Sequence, residues 1–250
     1  MAYNELQMPI SSRDNLLEIS AFLKRGFNFI KARYAPRGAR ISFSGSGEDL
    51  IMYDFLANKG IDNFSYIDIG AHHPFFGNNT YLFYRKGGRG VLVEPNSIQY
   101  REILRVRGRD KCLNVGVGRE NGESAFYTFS RNTRNTFSQS EAHAWEAKSG
   151  EKAKVEKRKI FSLDYIIENF CVNIPHIISI DTEGYEVEVL SGFSWKKRPL
   201  LFCIEVIASS GSIFDSENVD NPVYKIMEDQ GYKLIAKTPV NAIFADSRAS

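Results

Sequence analysis

The segment Ser65–Pro74, SYIDIGAHHP, has the pattern of a strand that ends at a glycine. Polar and apolar residues alternate up to Ile69, and Gly70 then begins a loop that carries two histidines and a proline. In an open parallel sheet, ligands bind beyond the carboxyl ends of the strands, where such loops lie. The segment therefore predicts an α/β fold and indicates where its ligand binds.

The chain after residue 40 alternates between short apolar runs and helical patterns. Strands are predicted at 64–69, 90–95, 111–118, 124–130, 176–180 and 199–207, with helices over 78–87, 97–108, 162–170 and the segment EGYEVEVLSG. A helix over NPVYKIMEDQG then precedes a closing hairpin of YKLIAKT and NAIFAD. Near-continuous apolar strands separated by helices predict a mostly parallel sheet with helices on both faces, to which the hairpin adds an antiparallel edge.

Three other regions complete the predicted organisation. Residues 1–40 form a separate helical arm, with apolar residues at helical spacing over 14–34, and residues 41–250 form the ligand-binding domain. The polar stretch 131–153 is predicted to be a loop, and the segment AKVEKRKIF that follows it an edge strand. Ser162 is the expected N-cap of the next helix.

The composition excludes several classes of protein. A length of 250 residues suits one domain with a modest extension, and a net charge of +2 argues against nucleic acid as the main partner. Three widely spaced cysteines without a CxxC motif, and an N-terminus unlike a signal peptide, predict a cytoplasmic protein. No apolar run approaches the roughly 18 residues of a membrane span.

Glu94 ends the second predicted strand, 24 residues after Gly70. An acidic residue at this place accepts hydrogen bonds from the ribose hydroxyls of an adenosine ligand. A dinucleotide would also need the G-x-G-x-x-G loop, but here the second glycine is missing and Pro74 lacks an N–H. The pattern therefore favours adenosine without a pyrophosphate, as in S-adenosylmethionine, with Asp68 meeting its ammonium and Gly70 admitting its methionine part.

Methyl transfer to a hydroxyl needs a group that takes the proton of the acceptor. His73 lies on the loop beyond the first strand, and its ordinary pKa near 6.5 suits a base. Asp181, Glu183 and Glu205 are carboxylates at neighbouring strand ends. Such a cluster either supplies the base or holds a divalent cation that orients the hydroxyl, and we favour the metal-free base.

Six segments together resemble the successive sequence blocks of FkbM-family methyltransferases: SGSGEDLIM, YIDIGAHHP, NNTYLFYRKGGRGVLVEPN, LNVGVG, IISIDTEGYEVEVLSG and LFCIEV. The resemblance covers roughly residues 42–245 and implies a class I, Rossmann-like methyltransferase that uses S-adenosylmethionine, usually for transfer to oxygen. It also implies that Glu48 lies at the rim of the active site. The chain departs from the family pattern at His72, where asparagine is frequent, and at Gly45 or Ser46, where glutamine is frequent.

The predicted function is O-methylation of a hydroxyl on a sugar, glycan or polysaccharide intermediate. The alternatives are a methyltransferase of small secondary metabolites, a nicotinamide-dependent oxidoreductase and a non-catalytic sugar-binding protein. The residues expected to contact the cofactor follow the strand ends and the first loop: Glu48, Asp68, Gly70, Ala71, Asn79, Thr80, Glu94, Pro95, Asn114, Val115 and Asp181.

Overall fold

The computed structural model of the protein describes residues 38–206 and 221–248. The helical arm predicted over 14–34 lies outside the described residues, and the domain boundary at residue 40 stays a prediction. Among the described helices, none has the length and apolar character needed to cross a membrane.

Ten strands and seven α-helices form the described part of the chain. The strands are β1 (Ser65–Ile69), β2 (Arg89–Val93), β3 (Lys111–Leu113), β4 (Gly116–Val117), β5 (Gly122–Thr128), β6 (Lys154–Phe161), β7 (Ile177–Ile180), β8 (Leu201–Glu205), β9 (Tyr232–Lys237) and β10 (Asn241–Asp246). The helices are α1 (Glu48–Asn58), α2 (Tyr81–Arg85), α3 (Ser97–Val106), α4 (Gln139–Ser149), α5 (Leu163–Phe170), α6 (Glu186–Ser191) and α7 (Pro222–Asp229).

The main sheet has seven strands in the order β3-β2-β1-β7-β8-β10-β9. The first five of these pair in parallel, while β10 lies antiparallel to both β8 and β9. This confirms the predicted class I arrangement, a mostly parallel sheet closed by an antiparallel hairpin at the C-terminal end.

Helices cover both faces of this sheet because side chains alternate along each strand. Ile67 and Ile69 of β1 pack in one apolar cluster with α5, α6 and α7. Tyr66 packs on the opposite face, in a second cluster with α1, α2 and α3. Asp68 shares the parity of Tyr66, so its side chain lies on the face of α1–α3 at the carboxyl end of the strand.

A second sheet of three strands, in the order β4-β6-β5, corrects two predictions. The predicted strand 111–118 is divided at Asn114 and Val115, and only its first half joins the main sheet. The segment after residue 153 is the middle strand of the small sheet, not an edge, because it pairs with β4 on one side and β5 on the other.

The predicted loop 131–153 is also wrong in part, because it contains a 3-10 turn at Asn132–Arg134 and the helix α4. The Ser138 hydroxyl caps α4 by accepting the N–H of Glu141 at 3.3 Å, and Gly150 ends the helix with φ 73°. The S-x-x-E pattern and this glycine are sequence signals for the start and the end of a helix. The predicted Ser162 cap of α5 is confirmed, with the Tyr165 N–H at 3.2 Å.

Candidate active site

A cleft opens at the carboxyl ends of β1, β2 and β7 and is walled on its far side by the small sheet. Its volume is about 970 Å³, including the part open to solvent at its mouth. Predicted site residues that line it are Asp68, Gly70, Ala71, His73, Asn79, Glu94, Pro95, Val115, Asp181 and Glu183. The sheet thus brings most of the predicted residues to one cavity.

Gly70 sits where β1 turns into the cavity loop. Its φ is +78°, in the left-handed region that favours glycine. A Cβ at this position would overlap the carbonyl oxygen of Asp181, the residue that follows the neighbouring strand β7. Gly70 therefore allows the carboxyl ends of β1 and β7 to lie close together, in addition to leaving room for a ligand.

Glu94 is buried, and each of its carboxylate oxygens accepts one backbone N–H. Oε2 accepts from His72 at 2.9 Å and Oε1 from Asn96 at 2.7 Å. Burial, with the nearby charges of Asp68 and Asp181, raises the pKa of Glu94 to about 7. A carboxylate oxygen has two lone-pair sites, so Glu94 keeps acceptor capacity for a pair of ribose hydroxyls.

Asp68 is almost fully buried and belongs to a polar cluster behind the cavity wall. Its Oδ2 accepts from Thr80 Oγ1 at 2.7 Å and from Asn78 Nδ2 at 2.9 Å. Asn79 lines the cavity and donates from Nδ2 to Ser179 Oγ at 3.1 Å. Thr80 therefore holds the Asp68 carboxylate from behind the cavity, whereas Asp68 and Asn79 line the cavity itself.

Asn114 supports the second strand end in the same way. Its Nδ2 donates to the carbonyl oxygens of Glu94 and Pro95 at 2.7 and 3.0 Å. Its neighbour Val115 lines the cavity beside Val117, Phe126 and Phe137, which makes this wall apolar. The two phenylalanines were not predicted as site residues, because they come from the small sheet and from the stretch read as a loop.

His73 lies at the mouth of the cavity. Its Nδ1 accepts the N–H groups of Phe75 and Phe76 at 3.3 and 2.9 Å, and burial together with the charge of His72 lowers its pKa. A neutral imidazole that accepts at Nδ1 carries its proton at Nε2. The free edge of His73 is therefore a hydrogen-bond donor, and a role as base stays a prediction that this geometry does not favour.

His72 adopts φ 45°, which is uncommon for a residue other than glycine. Its N–H is held by Glu94, and its Nε2 lies 3.1 Å from Oδ1 of Asn132 in the 3-10 turn. The contact with Asn132 connects the loop Gly70–Pro74 to the 3-10 turn on the opposite side of the cavity. Strain of this kind is usually found where a site needs a fixed backbone.

The three predicted carboxylates of Asp181, Glu183 and Glu205 come together. Each offers an oxygen, and the three oxygens lie within 4.8 Å of one another. Burial, and then the charges of Asp181 and its acidic neighbours, raises the pKa of Glu205 well above its usual value. Burial also raises the pKa of Asp181 to about 6, which a hydrogen bond with Glu205 opposes. The favoured state is a proton on Glu205, donated toward ionised Asp181.

Glu183 lies in a strained turn, with φ 52°, and is tied to the wall of the cavity. Arg134 Nη1 lies 2.9 Å from Glu183 Oε2, and Thr136 Oγ1 donates to the Glu183 carbonyl at 2.9 Å. Burial and the charge of Asp181 raise the pKa of Glu183 to about 7, while Arg134 acts in the opposite direction. The link between Arg134 and Glu183 was missed because the two residues are 49 positions apart.

Glu48, like Thr80, Asn114 and Glu205, is a predicted site residue that does not line the cavity. It is fully buried, and its Oε1 accepts from Thr238 at 2.6 Å and from Asn241 Nδ2 at 3.0 Å. Although burial acts in the opposite direction, these hydrogen bonds lower the pKa of Glu48. In the structure Glu48 joins α1 to β10, so a contact with the cofactor stays a prediction.

The residues that line the cavity are chemically suited to S-adenosylmethionine. Asp68, Glu94 and Asp181 give the cavity a negative wall that complements a sulfonium and an ammonium, and no phosphate-binding glycine loop is built at Gly70–Pro74. The apolar wall of Val115, Phe126 and Phe137 suits a purine ring. When bound, S-adenosylmethionine supplies a methyl group activated on sulfur.

Two kinds of known protein are similar to this chain, a family model and several solved structures, whereas no curated protein matches it. Solved structures that are similar include a TehB-like S-adenosylmethionine-dependent methyltransferase from Corynebacterium glutamicum (11% identity, TM-score 0.42, 92% of this chain and 99% of that one). An O-methyltransferase from Bacillus cereus in complex with S-adenosylhomocysteine has 12% identity and a TM-score of 0.38, over 96% and 92%. These TM-scores are too low to support an argument about the acceptor.

A further similar structure is the 1,6-didemethyltoxoflavin-N1-methyltransferase of Burkholderia thailandensis with bound S-adenosylhomocysteine, at 12% identity and a TM-score of 0.39, over 96% and 93%. The family model of the methyltransferase FkbM domain matches residues 68–234, about two thirds of the chain. That range includes Asp68, Gly70, Glu94, Asp181 and Glu205. The chain therefore belongs to the FkbM family of S-adenosylmethionine-dependent methyltransferases.

Proposed function

We propose that this methyltransferase transfers the methyl group to a hydroxyl of a sugar or glycan. The observation that carries the proposal is the group of three carboxylates, Asp181, Glu183 and Glu205, at the edge of the cofactor cavity. A hydroxyl is a weak nucleophile until its proton is taken, and a positioned carboxylate with a raised pKa can take it.

Asp181 is the proposed base. It lines the cavity, whereas Glu205 lies behind it and carries the shared proton. In this arrangement Asp181 accepts the proton of the acceptor hydroxyl, while the hydrogen bond from Glu205 holds the carboxylate in place. No metal is required for this role, so we expect turnover to resist a chelator.

The mouth of the cavity supports a ring-shaped acceptor with hydroxyl groups. Phe76 lines the cavity yet is 71% exposed, and its ring packs at a tilt against Phe75 and His73 at centroid distances of 4.5 and 5.0 Å. Such a surface offers an apolar face to the C–H side of a sugar ring. The Nε2–H edge of His73 would then donate to a sugar oxygen.

The direct test is a comparison of glycans and sugar intermediates from cells with and without the gene, by mass spectrometry. We expect molecules from the deletion strain to lack one CH₂ per modified position, and purified protein with S-adenosylmethionine to restore it. Transfer to nitrogen, or to a small aromatic metabolite with sugars untouched, would contradict the proposed acceptor.

We also propose that the protein works in the cytoplasm without nucleic acid as a partner. The free thiols of Cys112, Cys171 and Cys203 suit a reducing compartment, and the net charge of +2 gives little attraction to a polyanion. Cell fractionation checks the location, and recovery in the periplasmic or secreted fraction would contradict it.

A further inference from the structure

A fully buried arginine lies behind the cofactor cavity at a position where no sequence motif indicates a function. Arg107 follows the last residue of α3 and has no exposed surface. Its Nε pairs with Asp110 at 2.8 Å, and its Nη1 donates to the carbonyl of Pro74 at 3.0 Å. Burying a cation costs free energy unless all of its donors are paired. We therefore looked among the partners of Arg107 for a role besides packing.

Two short chains of hydrogen bonds connect this guanidinium to Asp68. In the first, Nη2 of Arg107 donates to Thr80 Oγ1 at 3.1 Å, and that hydroxyl donates to Asp68 Oδ2 at 2.7 Å. In the second, Nη1 donates to Asn78 Oδ1 at 3.2 Å, and Asn78 Nδ2 donates to the same Oδ2 at 2.9 Å. Because both chains end on one oxygen, they fix the rotation of the Asp68 carboxylate.

We propose that Arg107 is a positioning residue for the cofactor, which acts through Thr80 and Asn78 to hold Asp68 ready for the ammonium of S-adenosylmethionine. The inference rests on the assignment of the cofactor's amino-acid end to Asp68. It adds a residue that contacts neither the cofactor nor the acceptor.

The charges around Asp68 also support a positioning role for Arg107. Burial raises its pKa, while the hydrogen bond from Thr80 and the positive charge of Arg107 act in the opposite direction. The negative groups around Asp68 are Asp110, Glu94 and Asp181, all of which favour its protonated form. Arg107 is the cation that balances them, and without it Asp68 would be a poorer partner for an ammonium group.

A purely structural role would have a different signature. Arg107 also lies over the rings of Tyr66, Tyr81 and Tyr84, at 5.6, 5.5 and 4.8 Å from their centroids. If these contacts were its whole contribution, its loss would weaken every ligand of the cavity to a similar degree. Discrimination between ligands therefore separates positioning from packing.

The experiment measures two ligands by titration calorimetry: S-adenosylhomocysteine, which has the amino-acid end, and 5′-methylthioadenosine, which lacks it. In Arg107→Met we expect the affinity for S-adenosylhomocysteine to fall roughly tenfold or more, as for loss of a charge-assisted contact, with methylthioadenosine unchanged. Arg107→Lys keeps the charge and should recover part of the difference.

Thr80→Val provides a second variant if Arg107→Met does not fold, because it keeps the shape of the side chain and removes only the connecting hydroxyl. We expect the same selective loss. Arg109→Met is the matched control, since Arg109 is exposed at the same turn and lies 3.9 Å from the centre of the Tyr84 ring. Both ligands should bind this control as they bind the wild type.

Equal losses for both ligands, or no loss in Thr80→Val, would overturn the role of Arg107. A wild-type protein that binds methylthioadenosine but gains nothing from the amino-acid end would instead refute the assignment of Asp68. Failure of the wild type to bind either ligand would overturn the cofactor site itself. The three failures are thus distinguishable.

Discussion

Glu94 is the residue that we expect to bind the ribose of the cofactor. Replacing it with alanine removes this expected acceptor and also leaves the N–H groups of His72 and Asn96 without their carboxylate. We expect Glu94→Ala to weaken S-adenosylmethionine binding roughly 10- to 100-fold, as for loss of a buried charge-assisted pair. Calorimetry on the folded variant checks this, with Glu123→Ala on the exposed part of β5 as control. Unchanged affinity would exclude this binding mode.

Asp181 should control the chemical step. We expect Asp181→Asn to lower kcat by roughly 10²- to 10⁴-fold, which is the usual contribution of general-base catalysis. The wild-type kcat/KM should rise with pH and level off above the Asp181 pKa of about 6, since the carboxylate must be ionised to accept a proton.

Two controls test the competing assignments of the base. His73→Gln keeps an acceptor for the loop N–H groups, so it should slow turnover far less than Asp181→Asn. EDTA should leave the rate unchanged if the carboxylates act without a cation. A large effect at His73 with none at Asp181, or a loss in EDTA that Mg²⁺ restores, would reverse these roles.

Several site residues could be predicted from the sequence because they lie where a strand ends. Asp68 lies in the last two residues of β1, Glu94 and Asp181 directly follow β2 and β7, and parallel strands bring their carboxyl ends to one edge. Arg107 could not be predicted, because its partner Tyr66 is 41 positions away and only the packing of α3 brings the two together. Long-range polar contacts of this kind leave no local pattern.

At the scale of elements, the small sheet depends on close packing at Gly116. A Cβ there would overlap the ring of Phe137, which lines the cavity, whereas a Cβ at Gly122 in the same sheet meets open space. We expect Gly116→Ala to lower the free energy of unfolding by about 1–3 kcal/mol, as overpacking does, and to weaken cofactor binding. Denaturant unfolding checks the first effect. The matched control Gly122→Ala should be close to neutral, and similar behaviour of the two variants would contradict the role of this contact.

Each element that was mispredicted has its own physical cause. Ala142 is the buried residue of α4, so this helix has no apolar stripe that a sequence pattern would reveal. The division of the strand at Asn114 follows from hydrogen bonds between its amide and the turn after Glu94. The strands of the main sheet were predictable as short apolar runs, and α3, α5 and α7 because each has a strong apolar period, which α1 lacks.

At the scale of the whole molecule, the buried carboxylates make stability depend on pH. The pKa of Glu94 rises from an unfolded value near 4.5 to about 7, so the folded protein binds a proton that the unfolded chain has released. The stability that this proton provides is present below about 4.5 and is lost as the pH rises through 7. We therefore expect this contribution to the free energy of unfolding of the ligand-free protein to fall between about pH 4.5 and 7 and to level off above neutrality.

Denaturant unfolding between about pH 5 and 8 measures this effect. His176 acts in the opposite direction in part of this range, because burial lowers the pKa of that imidazole below its ordinary 6.5, and its contribution is common to the wild type and the variant. Glu94→Gln has no titrating group at this position and should show a smaller slope. Equal slopes for the variant and the wild type would show that Glu94 does not titrate in this range.

Gly70 limits how this enzyme can be diversified. Any other residue there would have to adopt a left-handed backbone and would also drive its Cβ into the carbonyl of Asp181. The surrounding strands cannot separate to make room, since the Asp181 N–H is bonded to Ile69 at 3.0 Å. We therefore expect any substitution of Gly70 to disrupt the site, whether it arises by mutation or in a designed library. We expect new acceptor preferences to arise at other positions, such as Phe76 at the mouth of the cavity or Arg134, which pairs with Glu183.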